Sequence, residues 1–179
     1  MPKNRDDGCS GYYLVHCPWV KAKVGSVSTQ NVTLPEIGPL TLEQMQKGLS
    51  AQQALDKVIG ASQFSEYRQV IAIGLDGSKG SFSGSKVLGT HAIYEGKDAI
   101  AAGNLLRSDA LPQGMVTYFD EHPELPLAER LIAALQHGLN EFGGEEGPVH
   151  SAAVLIADQQ SWPMVDLRVD WDDNAPLDQ

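Results

Sequence analysis

The stretch from His16 to Pro35, HCPWVKAKVGSVSTQNVTLP, constrains the fold more than any other part of the chain. From Val24 to Gln30, small, apolar and hydroxyl side chains alternate, the period-two pattern of a half-buried strand. Cys17-Pro18-Trp19-Val20 reads as a break and a buried turn before that strand, and Tyr12 to Val15 is apolar enough for a strand of its own. Thr29, Gln30, Asn31 and Thr33 then gather uncharged polar groups at the strand's end. Met1 to Ser10, by contrast, is polar, charged and without period. The expectation is a chain that enters a packed sheet late, without its opening strands.

The pattern downstream decides the fold class. Pro35 and Pro39 punctuate a loop, and a helix is expected from about Leu40 to Lys47, with Gly48 as its stop. Ser50 and Gln53 make a capping box for a second helix with Ala54, Leu55, Val58 and Ile59 as its apolar stripe. Arg68 to Leu75 is a strongly apolar strand, Asp76-Gly77 a tight connection, and Ser81 to Ser85 the return strand. A long loop carries Gly89, Thr90 and His91, Tyr94 to Lys97 reads as a turn, and Asp98 to Ala102 as a short strand. Helices are expected over Leu111 to Glu121 and Leu125 to Phe142. In the second, Leu127, Leu131, Leu135 and Leu139 recur at i+4. Strands at Ser151 to Ala157 and Trp162 to Val169 follow, the latter with Val165, Leu167 and Val169 on one face. Strands cluster around helix pairs instead of alternating singly with helices. The expected class is therefore α+β: two antiparallel sheets covered by helices, an αββα sandwich, and not a doubly wound parallel sheet.

Length and charge narrow the function classes. The 179 residues fit one domain, expected over residues 16–173, with a poorly ordered or non-family start over 1–15 and a tail over 174–179. A net charge of −10 repels nucleic acid phosphates and anionic membranes, so neither is an expected partner. Neither a membrane span nor a signal peptide is read from the sequence, and the expected compartment is the cytoplasm. Cys9 and Cys17 find no further Cys or His at zinc spacing, and Asp166, Asp170, Asp172 and Asp173 lack the glycine and spacing of a calcium loop. No metal and no cofactor is expected.

Nine short segments carry a resemblance. They are Val24 to Thr33, Gly48 to Ala51, Glu66 to Gln69, Phe82 to Gly84, Gly89 to His91, Ala102 to Leu106, Leu127 to Leu131, Ser151 to Ala153 and Val165 to Asp170. In this order the chain resembles an uncharacterised bacterial family, the Ntn-hydrolase-like domain of unknown function 1028, over about Cys17 to Asp172. The resemblance implies the same αββα architecture. It implies hydrolysis of an amide or related C–N bond in a small molecule or peptide. N-terminal-nucleophile hydrolases attack with the hydroxyl or thiol of their first mature residue and use its free α-amine as base. In the family two strands precede the segment matching Cys17; here sixteen residues do, and none matches either strand.

Candidate residues follow from that chemistry. Met1-Pro2 offers no nucleophile, whereas Gly8-Cys9-Ser10 resembles a self-cleavage junction that would expose Cys9. An ordinary cysteine near the chain start is the plainer reading. Thr29 is an internal hydroxyl that needs a separate base. Asn104, after Gly103 at a strand end, is the candidate oxyanion donor, or else a turn asparagine bonded to its own backbone. Gln30, Asn31, Ser83, His91 and Arg68 are candidate substrate contacts, with strand-end bonding, sheet packing or an ion pair to Glu66 as their structural alternatives. The functional expectation is a hydrolase of the N-terminal-nucleophile type, or a non-catalytic binding domain that keeps its fold without the nucleophile. Sheet edges left open by absent strands predict a homodimer or larger assembly.

Overall fold

The computed structural model describes residues 17–173 and Leu177. Its first sheet has four strands in the order β1-β2-β3-β4, all antiparallel: β1 Pro18–Lys21, β2 Gly25–Asn31, β3 Arg68–Gly74 and β4 Lys79–Ser83. Between β2 and β3 run α1, Ile37–Gln46, and α2, Ala51–Gly60. Beyond β4 lie β5, Ala92–Glu95, and β6, Ile100–Gly103, which pair only with each other among the described residues. Helices α3, Leu111–Glu121, and α4, Leu127–Phe142, come next, then the hairpin of β7, Ala152–Ile156, and β8, Val165–Val169.

Alternation on β2 and β3 builds two different faces. Val27, Thr29 and Asn31 are buried and stand opposite Ala72, Val70 and Arg68. Val27, Val70 and Ala72 meet Ile37, Leu42 and Met45 of α1 and Ala54, Leu55 and Ile59 of α2 in the main apolar core. The other face carries Ser26, Ser28 and Gln30 opposite Ile73, Ile71 and Gln69. Strand β6 packs on β3 and β7 on β1, while α3 covers β5 and β6 and α4 covers β7.

Local chemistry explains several boundaries. The Ser50 hydroxyl accepts from the Gln53 N–H at 3.3 Å and the Gln53 side chain accepts from the Ser50 N–H at 3.1 Å, so the capping box forms as expected. α1 starts three residues earlier than expected, because Pro39 falls in the first turn, where no N–H is needed. Gly80 lets β4 pass beneath α2: a Cβ there would stand 2.7 Å from the Ala51 carbonyl carbon. Gln52 of α2 then closes that edge, accepting from the Ser81 N–H at 2.9 Å and donating to the Ser81 carbonyl at 3.4 Å.

Other expectations are corrected. Cys17 to Val20 is not a turn: Pro18 opens β1, an edge strand where a missing N–H costs no ladder bond. Tyr94 and Glu95 belong to β5, and the turn starts at Gly96, whose N–H donates to the Ala99 carbonyl at 2.9 Å. The return strand begins at Lys79, and the last strand at Val165, not Trp162. The leucine stripe of α4 is not its buried face: Leu127 and Leu139 are exposed, and Ala134 and Gly138 are the buried positions. Steps of i+4 drift by about 40° on a 3.6-residue helix, so three steps carry the stripe around to solvent. Leu167 is exposed too, since nothing among the described residues covers that side of β8.

Candidate functional site

The second face of the first sheet is the floor of a partly open space. An inner chamber of about 280 Å³ lies over Ser26, Ser28, Ile71 and Ile73 and under Met115, Phe119 and Leu131. An outer chamber of about 310 Å³ adjoins it, sharing Ser28, Met115, Leu135 and Ala153. Cys17, Gln30, Gly103 and His150 line the outer chamber. Among the described residues no charged side chain lines the inner one, and Glu145 is the only carboxylate lining the outer one.

Polar groups concentrate where β2 ends. Gln30 Nε2 donates to Gln69 Oε1 at 2.5 Å, and Gln69 Nε2 donates to Ser83 Oγ at 3.0 Å and to the Ala92 carbonyl at 3.4 Å. Gln69 is fully buried and ties β2, β3, β4 and β5 together. At the far rim, His150 Nδ1 lies 3.3 Å from the Asp172 carbonyl and 3.5 Å from Asp173 Oδ1, and its ring stacks on Trp171 at 4.2 Å. Trp171 Nε1 donates to the same Asp173 oxygen at 2.9 Å. His150 thus reaches the chamber with its ring orientation held by the chain that follows β8.

The candidates from the sequence divide among three places. Gln30 lines the outer chamber, Ser83 joins it through Gln69, and Asn104 follows Gly103 of the rim. Thr29 and Asn31 belong to the opposite face. Thr29 is 1% exposed beneath the helices, so its hydroxyl does not line either chamber. Asn31, at φ +69°, accepts from the Leu88 N–H at 3.3 Å and donates to the Tyr67 carbonyl at 2.5 Å, which makes it a strand-end brace. His91 is exposed in its loop, with Nδ1 3.1 Å from the Gly89 carbonyl.

Arg68 departs from the expected ion pair. Glu66 is bridged by Lys86 at 3.4 Å instead. The buried guanidinium donates through Nη1 to the Val32 carbonyl, and its Nε has no partner among the described residues. Burial lowers the pKa of Arg68, and Glu66 opposes that shift. Cys9 lies outside the described residues. Among the described residues no group of three or more His, Cys, Asp or Glu could hold a metal ion, and no helix is long and apolar enough to cross a membrane.

Gln69 and His150 were not singled out from the sequence. The signal for Gln69 was an amide inside the apolar run Arg68 to Leu75. For His150 there was none, because its partners lie more than twenty residues away across a hairpin.

The chain is thus a mixed α/β protein with antiparallel sheets, four α-helices among the described residues, and a partly open space between layers. It belongs to the family of unknown function DUF1028, whose model matches residues 14–179. Its fold is similar to the crystal structure of protein SPO2555 from Silicibacter pomeroyi, of the same family, with a TM-score of 0.85 at 25% identity. That likeness covers 94% of this chain and 72% of the other. No curated protein matches the sequence.

Proposed function

We propose that the layers form an αββα scaffold of the Ntn-hydrolase kind whose interlayer space binds uncharged peptide segments. One observation carries this reading. Gln30 presents an amide to the outer chamber, beside an inner chamber with no charged lining among the described residues, and is held there by Gln69. A side-chain amide both donates and accepts, which matches a peptide group and not a lone carboxylate or ammonium. Apolar lining with a few fixed polar groups is the usual make-up of a binding cavity.

Capped peptides such as N-acetyl-valine N-methylamide test the reading. Their binding is measured by isothermal titration calorimetry. Saturable binding that Gln30→Leu weakens by roughly tenfold is expected, with no binding of free valine. Equal binding of the zwitterion, or indifference to Gln30→Leu, contradicts it.

The catalytic reading, hydrolysis of a C–N bond, is supported by Asn104 following the rim residue Gly103 and requires Cys9 as an exposed N-terminal nucleophile. Intact mass decides it: loss of Met1 to Gly8 supports self-processing, and a chain that keeps them does not.

A further inference from the structure

Edge strands can pair with foreign chains, and both edges of the first sheet are blunted against it. Gln52 of α2 closes β4, accepting from the Ser81 N–H and donating to the Ser81 carbonyl. β1 opens on Pro18, which has no N–H, and ends on Lys21. β8 has neither device. Among the described residues it pairs with β7 alone, so its other edge is open. Backbone N–H and C=O groups on such an edge need partners. The side chains are open as well: Asp166, Leu167 and Arg168 are all exposed, Leu167 to 60%. Among the described residues neither Asp166 nor Arg168 makes a salt bridge or a side-chain hydrogen bond.

The sequence of β8, Val-Asp-Leu-Arg-Val, reads the same in both directions except that its two charges change sign. Val165, Leu167 and Val169 share one face, opposite Ile156, Val154 and Ala152 of β7. Asp166 and Arg168 share the other, opposite Leu155 and Ala153. A second β8, laid antiparallel to the first about a two-fold axis at Leu167, finds a complement at every position. Asp166 stands opposite the partner's Arg168, and Arg168 opposite the partner's Asp166. Val165 stands opposite the partner's Val169, and the two copies of Leu167 meet at the axis. One face of the joint then carries six apolar side chains, three from each copy, and the other carries two ion pairs. Neighbouring registers lose this match. Sliding by two residues sets Asp166 against the partner's Asp166, or Arg168 against the partner's Arg168. Sliding by one sets charged side chains against apolar ones. We infer that β8 is the joint of a two-fold homodimer, in which β7 and β8 of both copies form one four-stranded antiparallel sheet.

Charge and size set the strength of the joint. Each copy carries a net charge of −10, which opposes association at long range. The two local pairs of opposite charge therefore decide whether and in which register the edges meet. Five paired residues a side bury less than the roughly 1,600 Å² of a standard interface. The same register lays Trp162 and Met164, 64% and 63% exposed, beside the segment that follows β8 in the other copy. That contact adds apolar area at both ends of the joint. The expected dimer is of roughly micromolar strength, in balance with the monomer.

Sedimentation velocity over a dilution series of the chain reads the dimer, and charge variants read the register. Asp166→Arg and Arg168→Asp each set like charges across the joint, at positions exposed in the single chain. Either substitution alone is expected to weaken the dimer at least roughly tenfold. Mixed in equal amounts, the two variant proteins should form a heterodimer, since one presents two arginines and the other two aspartates. The double variant, Asp166→Arg with Arg168→Asp, restores both pairs and should dimerise like the native chain. Circular dichroism checks that each variant is folded. A native chain that stays monomeric at the highest concentration overturns the inference. A dimer indifferent to both single variants uses another surface and overturns it too. So does a dimer lost in the single variants and not regained on mixing.

Discussion

Gln30 and Gln69 face each other across β2 and β3, the one register pair of those strands in which two side-chain amides meet, and Gln30 Nε2 donates to Gln69 Oε1 at 2.5 Å. The pair joins the core of the first sheet to the chamber above it. Gln69 spends its own amide hydrogens on Ser83 and the Ala92 carbonyl, so the position of β5 is coupled to that of β2. A binding group at Gln30 is thereby held by buried partners instead of by solvent.

Gln69→Leu leaves Gln30, Ser83 and the Ala92 carbonyl without this partner. The expected loss is about 1–3 kcal/mol, read from urea unfolding. Adding Gln30→Leu to that variant should cost less than it does in the native protein, because the two side chains act as one unit. Additive losses would show that the pair is not coupled.

Gly80→Ala should destabilise the protein by about 1–3 kcal/mol, since its Cβ meets the backbone of Ala51 and not a movable side chain. Gly77→Ala is not an equal control, because Gly77 sits at φ +80° in its turn. Gly60→Ala is a better one: its Cβ meets nothing within 4 Å, and the substitution should be neutral or stabilising. The two thermal unfolding curves should move in opposite directions, and a Gly80→Ala protein of native stability would contradict the close approach of α2 to β4.

These two positions show how unevenly the fold could be read from the chain. Ser50 and Gln53 and Leu111 to Glu121 are set by local chemistry and were legible as they stand in the structure, and the strand read as Arg68 to Leu75 ends one residue earlier, at Gly74. β1 and β5 were not. Both are short, and both are strands only because a distant partner pairs with them, β2 for one and β6 for the other. Gln69 has the same history: an amide in an apolar run acquires its role only from the register that sets it against Gln30 and Ser83. Thr29 shows the converse. Alternation told that one face of β2 is buried, but not which face the helices would take, and they took the one carrying Thr29.

Ser50→Ala removes the hydroxyl that accepts from the Gln53 N–H and should cost about 1 kcal/mol by chemical denaturation. Ser50→Asp, which restores an acceptor at the helix N-terminus, should recover most of that loss. A Ser50→Ala protein as stable as the native one would show that the cap contributes nothing here.

Asp76 should give the β3–β4 turn an acid-side pH dependence. The Ser78 hydroxyl, 2.7 Å from Asp76 Oδ1, and then the Ser78 N–H at 3.0 Å lower its pKa below the ordinary 3.8. A lowered carboxylate pKa stabilises the fold above the unfolded value, and that contribution fades as pH falls through the folded value. The stability difference between the native protein and Asp76→Asn should therefore be largest near neutral pH and shrink below about pH 4. A difference that stays constant through the acid range would show that Asp76 has no such role.

The reading that the interlayer space takes peptide groups through Gln30 is tested most directly by calorimetric titration of N-acetyl-valine N-methylamide into the native protein and into Gln30→Leu. Saturable binding that Gln30→Leu weakens by roughly tenfold is the expected result. Equal affinity in the two proteins would contradict it.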